Sequence, residues 1–168
     1  MIDIARNIAA LHTRISASQL PGGVPVTLLA VSKKQTADAI RAAVAAGQHQ
    51  FGENYVQEAV DKILELRELE LTWHFIGAIQ TNKTRLIAEH FDWVQSVDRE
   101  RILRRLDSQR PPEAGVLNIC LQVDIDNEPQ KGGAPPEDIL PLAAIASSLD
   151  NLRLRGLMAI PKHSYELD

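Results

Sequence analysis

The sequence predicts an α/β protein of the TIM-like (β/α)-barrel type, with about six of the eight strand-helix units of a closed barrel. Three observations predict it. Apolar runs of strand length alternate about six times with amphipathic segments, the pattern of a parallel sheet whose strands are joined by helical crossovers. Polar residues able to do chemistry end successive runs: Lys33, Asn54, His74, Asp98 and Asp124 all fall there. That placement favours a barrel over a doubly wound sheet, because a barrel gathers its strand ends on the face that binds ligands. Finally, the 168 residues suit one domain, 1–168, yet fall short of the roughly 250 residues typical of a complete barrel.

In chain order, Ile4, Ile8, Leu11 and Ile15 recur at helical spacing, so a helix is expected from Ile2 to Ala17, ended by Pro21-Gly22-Gly23. Val26 to Val31 is apolar except for Thr27 and reads as a strand buried on both faces, stopping at Ser32-Lys33-Lys34. A lysine at a desolvated strand end loses preference for its protonated form and can attack an aldehyde. The plainer reading makes Lys33 and Lys34 the first polar residues after a core strand. Thr36 is placed to cap an alanine-rich helix that stops at Gly47. Gln50-Phe51 is a short strand closed by Gly52-Glu53-Asn54, and Tyr55 to Leu69 is a surface helix with one apolar face. A third strand follows at Leu71 to Gly77, with a helix opening at Gln80-Thr81-Asn82-Lys83. A fourth strand spans Phe91 to Val97, and Asp98 is expected to cap the next helix, which Pro111-Pro112 ends. Val116 to Ile125 is the fifth strand. Beyond a polar Gly- and Pro-rich loop from Asp126 to Pro136, a helix covers Glu137 to Leu149 and a sixth strand Leu152 to Ile160. Read singly, His74 between Trp73 and Phe75 suits a satisfied core histidine, Asn54 and Asp98 suit caps, and Asp124 a strand-end acceptor.

Composition narrows the function. Hydrophobic residues make up 45% and charged residues 24%, with a net charge of −4, which argues against nucleic acid or an anionic membrane as partner. The four arginines between Arg99 and Arg105, with Glu100 among them, read as a solvated helix face. Cys120 is the single cysteine, set in an apolar strand, so a buried inert thiol and a reducing cytoplasm are expected. The N-terminus carries Asp3 where a signal peptide would carry positive charge, and no run approaches the length of a membrane span. The five histidines show no metal-ligand spacing, and neither a dinucleotide nor a phosphate-loop glycine motif is present.

Several blocks resemble one family. Leu28-Leu29-Ala30-Val31-Ser32-Lys33, Phe51-Gly52-Glu53-Asn54-Tyr55-Val56-Gln57-Glu58, Lys131-x-Gly133 and Arg155-Gly156-Leu157-Met158-Ala159-Ile160 are four of them. The most specific is Trp73-His74-Phe75-Ile76-Gly77-Ala78-Ile79-Gln80-Thr81-Asn82-Lys83. Together they resemble the pyridoxal-phosphate-binding homeostasis proteins, the YggS/PROSC family, over essentially the whole chain. The resemblance implies a single-domain barrel like the N-terminal domain of alanine racemase. It also implies pyridoxal 5'-phosphate held on Lys33 as a Schiff base, with Lys34 a neighbouring cation, Asn54 and His74 lining the cofactor and Met158 near its ring. Family members bind the cofactor without defined turnover and maintain vitamin B6 balance, and are expected to be cytoplasmic and monomeric. Two departures stand out. Ala78 replaces the usual proline, and family chains continue past the sixth strand through a Ser/Gly-rich loop and an Arg-containing strand. The chain therefore resembles a C-terminally truncated member, expected to hold the phosphate weakly and to distinguish it poorly from pyridoxal, or to self-associate through an open edge.

Two other functions are weighed beside this non-enzymatic one. A racemase-type enzyme would need a second acid/base group opposite Lys33, and Tyr55 and Tyr165 are the chain's only tyrosines. The other is a truncated chain that no longer holds cofactor.

Overall fold

In the computed structural model, which describes residues 3–20 and 22–162, the chain divides between Trp73 and His74 into two units. The first opens with helix α1 (Ile4–Ser18), whose leading N–H groups need acceptors. The Asp3 carboxylate supplies one to Arg6 at 2.9 Å. Its apolar stripe buries Ile8, while Leu11 stays exposed. Strand β1 is only Ala30–Val31 and runs parallel to β2 (Gln50–Glu53), with Ala30 beside Phe51 and Val31 beside Gly52.

This corrects the expected doubly buried strand from Val26 to Val31. Val26 and Val31 are 60% and 50% exposed, and the residues before Ala30 form no strand. Among the described residues of this unit β1 is paired along one edge only, so an apolar run that reads as interior lacks the second neighbour that would make it so. Helix α2 (Ala37–Ala45) is capped by the Thr36 hydroxyl, which accepts from Ala39 N–H, and Gly47 ends it in the left-handed conformation at φ 87°. Helix α3 (Val56–Glu65) buries Ala59 and Val60, with Leu66 just beyond it, and Phe51 and Ile40 are buried in the same unit. Strand β3 (Thr72–Phe75) begins in this unit, Thr72 N–H donating to the carbonyl of His49 at 2.9 Å.

In the second unit the end of β3 pairs parallel with β4 (Trp93–Val97), β4 with β5 (Leu117–Gln122) and β5 with β6 (Leu152–Met158). Each strand lies beside its sequence neighbour, the order of a singly wound sheet. Helices α4 (Thr84–His90), α5 (Glu100–Gln109) and α6 (Ile139–Ser147) form the crossovers. The expected helix from Gln80 opens instead as a 3-10 turn at Thr81–Lys83. Asp98 does not cap α5: Arg99 is the cap residue, with no side-chain cap bond, and the Asp98 carboxylate is taken up by the Arg99 guanidinium. Phe75, Phe91, Val94, Ile119, Leu121 and Leu106 form the core here, each at 0–1% exposure.

Arg110 at the end of α5 is buried. Its guanidinium donates to the carbonyls of Ala88, Phe91, Ala114 and Gly115, tying two chain turns to one side chain. Burial lowers its pKa, opposed by the charge of Asp92. Cys120 is half-buried and its thiol pKa is raised by burial, as expected of an unreactive thiol. No helix among the described residues is long and apolar enough to cross a membrane.

Candidate functional site

The turn that follows β1 is held by charged side chains beneath it. Ser32 continues the β pairing, its N–H donating to Gly52 carbonyl at 2.9 Å, and its carbonyl accepts from Gln35 N–H at 3.0 Å to close the turn. Lys33 and Lys34 occupy the corner and are both exposed. The expected desolvated strand end is therefore an exposed turn, for the reason that shortened β1: no second neighbour covers it. Lys34 adopts φ 61°, left-handed backbone that a non-glycine residue enters at a cost of about 1–2 kcal/mol.

Beneath the turn, Lys62 of α3 is buried, and its ammonium donates to the Ser32 carbonyl at 2.8 Å, to Glu53 Oε1 at 2.8 Å and to Glu58 Oε1 at 2.6 Å. Glu53, at 0% exposure, also accepts from the Ser32 hydroxyl at 2.7 Å. Glu58 accepts the backbone N–H of Lys34 at 2.6 Å. The hydrogen bond from Lys62 is the main reason the Glu58 carboxyl sits below the ordinary range, with partial burial opposing it and the Lys34 N–H assisting. Lys62 and Glu58 thus hold the backbone on either side of Lys33, and Glu53 binds the Ser32 hydroxyl and the Lys62 ammonium beneath it; the three come from β2 and α3. Sequence reading missed all three as site residues. The one visible signal was the Glu58/Lys62 spacing of four, common on any solvated helix. Asn54 follows β2 and is half-buried. It caps nothing: Tyr55 is the cap residue of α3, and Asn54 Oδ1 is buried without a partner.

In the second unit His74 is buried in β3. Its ring stacks on Trp93, 5.3 Å between centroids and 16° between planes, and the Arg155 guanidinium lies 5.5 Å from the Trp93 ring centre. Arg155 is the extra residue of a bulge, since Ile119 pairs with Leu154 and Cys120 with Gly156. Gln95 Nε2 lies 3.1 Å from His74 Nδ1. An amide nitrogen donates, so Nδ1 accepts and the ring proton belongs to Nε2, a buried atom with no partner. Met158 ends β6 half-buried, its carbonyl accepting from Val123 N–H at 2.9 Å. Asp124 proves a structural acceptor, its Oδ1 taking the N–H groups of Asp126 and Glu128. The Lys131-x-Gly133 loop folds back on β5, Ala134 N–H donating to Gln122 carbonyl and Ala134 carbonyl accepting from Asp124 N–H. Lys33 and Asn54 thus belong to the first unit, His74 and Met158 to the second, each at or near the C-terminal end of a parallel strand. Among the described residues no three His, Cys, Asp or Glu side chains are grouped as metal ligands would be.

Burial lowers the His74 pKa from 6.5 to about 4, and this has a sign that can be checked. Between those values the unfolded chain binds a proton that the folded chain does not, so the histidine costs nothing above pH 6.5 and progressively destabilises the fold as pH falls toward 4. At about 1.4 kcal/mol per pH unit the full cost is up to about 3 kcal/mol. Urea unfolding across this window should show His74→Gln losing less stability on acidification than the parent. Parallel profiles would mean that the imidazole is not desolvated.

A parallel α/β chain with its polar side chains at strand ends defines the barrel class of the alanine racemase N-terminal domain, and the family model of that description matches residues 3–168. The chain is 56% identical over 169 residues to the pyridoxal phosphate homeostasis protein of Pseudomonas aeruginosa, covering 99% of this chain and 74% of that one. It is 52% identical to the protein of the same name from Escherichia coli, covering 96% and 71%. The structure of PipY from Synechococcus elongatus without PLP superposes with a TM-score of 0.85 at 43% identity, over 97% of this chain and 73% of that one. The PLP-bound PipY structure gives 0.80 at 42%, over 96% and 72%. Alanine racemase from E. faecalis, at 20% identity and a TM-score of 0.73 over 99% of this chain and 43% of that one, shares the fold. The chain belongs to the pyridoxal phosphate homeostasis protein family.

Proposed function

We propose that this protein binds pyridoxal 5'-phosphate and serves vitamin B6 homeostasis, with the cofactor aldehyde joined to the Lys33 amine as a Schiff base and no catalytic turnover of its own. The observation that carries the reading is Lys33 itself, an exposed amine on a turn whose flanking backbone groups are both bonded to buried or half-buried charges. The rest of the residue set fits the group. Asn54 Oδ1 and His74 Nε2 are a buried acceptor and a buried donor lacking partners, and each costs stability unless something supplies the missing bond. A pyridine ring bearing hydroxyl and phosphate substituents is a group of the kind that either atom could bond, and within the second unit Met158 is a half-buried, polarisable side chain of the kind that suits such a ring. When bound, the cofactor supplies an aldehyde and an electron-withdrawing ring. The chain's own residues supply the amine and keep the His74 imidazole neutral. The names of the relatives and the PLP-bound PipY support the cofactor. A reducing cytoplasm suits the single half-buried cysteine. The racemase reading has less support: Tyr55 is about half-exposed at the start of α3, and Tyr165 lies outside the described residues.

Borohydride reduction of the cofactor-treated protein followed by peptide mapping tests the assignment. The label is expected on Lys33, and Lys33→Ala should abolish both the label and the absorbance band of the covalent form. A label on Lys34 or Lys131, or a band that survives Lys33→Ala, refutes it.

A further inference from the structure

We propose that Glu58, oriented by Lys62, is a positioning residue that selects Lys33 over its neighbour Lys34 as the cofactor-bearing lysine. The proposal rests on the reading of Lys33 given above. Two amines of the same kind stand side by side on one exposed turn, so neither residue type nor solvent access distinguishes them.

The backbone does. Lys34 is held left-handed at φ 61°, and a residue in that conformation carries its Cα–Cβ bond in a different direction from a right-handed or extended neighbour. The two stems leave the turn on different courses, and the left-handed conformation of Lys34 sets which course its own stem takes. Its N–H donates to Glu58 Oε1 at 2.6 Å, and the same oxygen accepts the Lys62 ammonium at 2.6 Å. Lys62 completes the bracket by donating to the Ser32 carbonyl at 2.8 Å. The peptide groups before and after Lys33 are thus bonded through one shared pair of charges. A Glu/Lys pair four apart that served only its helix would point both side chains along α3 into water. Here the lysine is 7% exposed and reaches off the helix to a strand end. The Glu58 carboxylate also stands close enough to feel the charge of Lys34, so it acts as a counterion on the side of the lysine that is not used.

The test uses the 168-residue chain and its Glu58→Ala and Glu58→Gln variants, each treated with pyridoxal 5'-phosphate, reduced with borohydride and mapped. Amide exchange of the cofactor-free proteins over residues 32–36 and urea unfolding are measured alongside. Losing one charge-assisted bond of about 1.5 kcal/mol corresponds to about tenfold, so Glu58→Ala should raise the Lys34:Lys33 label ratio about tenfold and speed Lys34 amide exchange similarly. Glu58→Gln keeps an acceptor of about half the strength and should raise the ratio about threefold. If the parent carries no label on Lys33, the reading of Lys33 fails and this proposal with it. If the parent is labelled on Lys33 and the ratio is unchanged in either variant that folds, only the proposal is overturned, whatever happens to stability. Should Glu58→Ala fail to fold, the Gln variant decides.

Discussion

Replacing Lys62 with methionine should lower the unfolding free energy by about 3–5 kcal/mol, the usual result of deleting one partner of a buried ion pair. Methionine keeps most of the aliphatic stem, so the loss comes from the ammonium. Without it Glu53, at 0% exposure, is left with the Ser32 hydroxyl on one oxygen and nothing on the other. The Ser32 carbonyl loses a donor as well. Unfolding in urea at neutral pH measures the loss. The double variant Lys62→Met with Glu53→Leu removes both charges and should cost well under the sum of the two single changes, because the two side chains share one interaction. A single-variant loss below about 1 kcal/mol would show that water, not Lys62, satisfies Glu53.

Gly133→Ala should cost about 3 kcal/mol or more, combining backbone strain with overpacking. Gly133 has φ 117°, and a Cβ there would lie 2.7 Å from Asp124 N and 2.9 Å from Val123 C. Both atoms are backbone of the chain that Ala134 bonds on either side, so neither can move without breaking that pairing. Gly115→Ala is the control. Its φ is 64° and its ψ −166°, a backbone region that essentially only glycine enters, but nothing lies within 4 Å of the added Cβ, so only the backbone cost of about 1–3 kcal/mol applies. Thermal melting of the two variants side by side measures the difference. Equal losses would mean that the loop after β5 gives way and that the close approach carries no weight.

Much of the fold was legible because its signals are local. The Thr36 cap, the α3 stripe ending at Leu66 and the run of strands separated by helices depend on residues a few positions apart, and the structure keeps them. The errors lie where side-chain geometry, which the order of residue types does not give, decides. Asp98 reads as a cap until Arg99 takes its carboxylate. Asn54 reads as a cap until its oxygen is found buried with no N–H to receive.

By itself the sequence determined the fold class and the family, because strand-helix alternation and contiguous blocks survive in one dimension, and the same blocks nominate Lys33, Asn54, His74 and Met158 as the proposed cofactor residues. Only the tertiary structure decided that β1 is short and its lysines exposed, since burial of an apolar run requires a second neighbour that the run cannot specify. It also decided the environment of the site. Lys62 reads as one more solvated helix charge, and only when α3 lies along β2 does its ammonium meet a strand end 30 residues earlier and a buried carboxylate nine residues earlier. A charge is stabilised inside a protein only by groups that folding brings to it, and those groups lie far from it in the sequence.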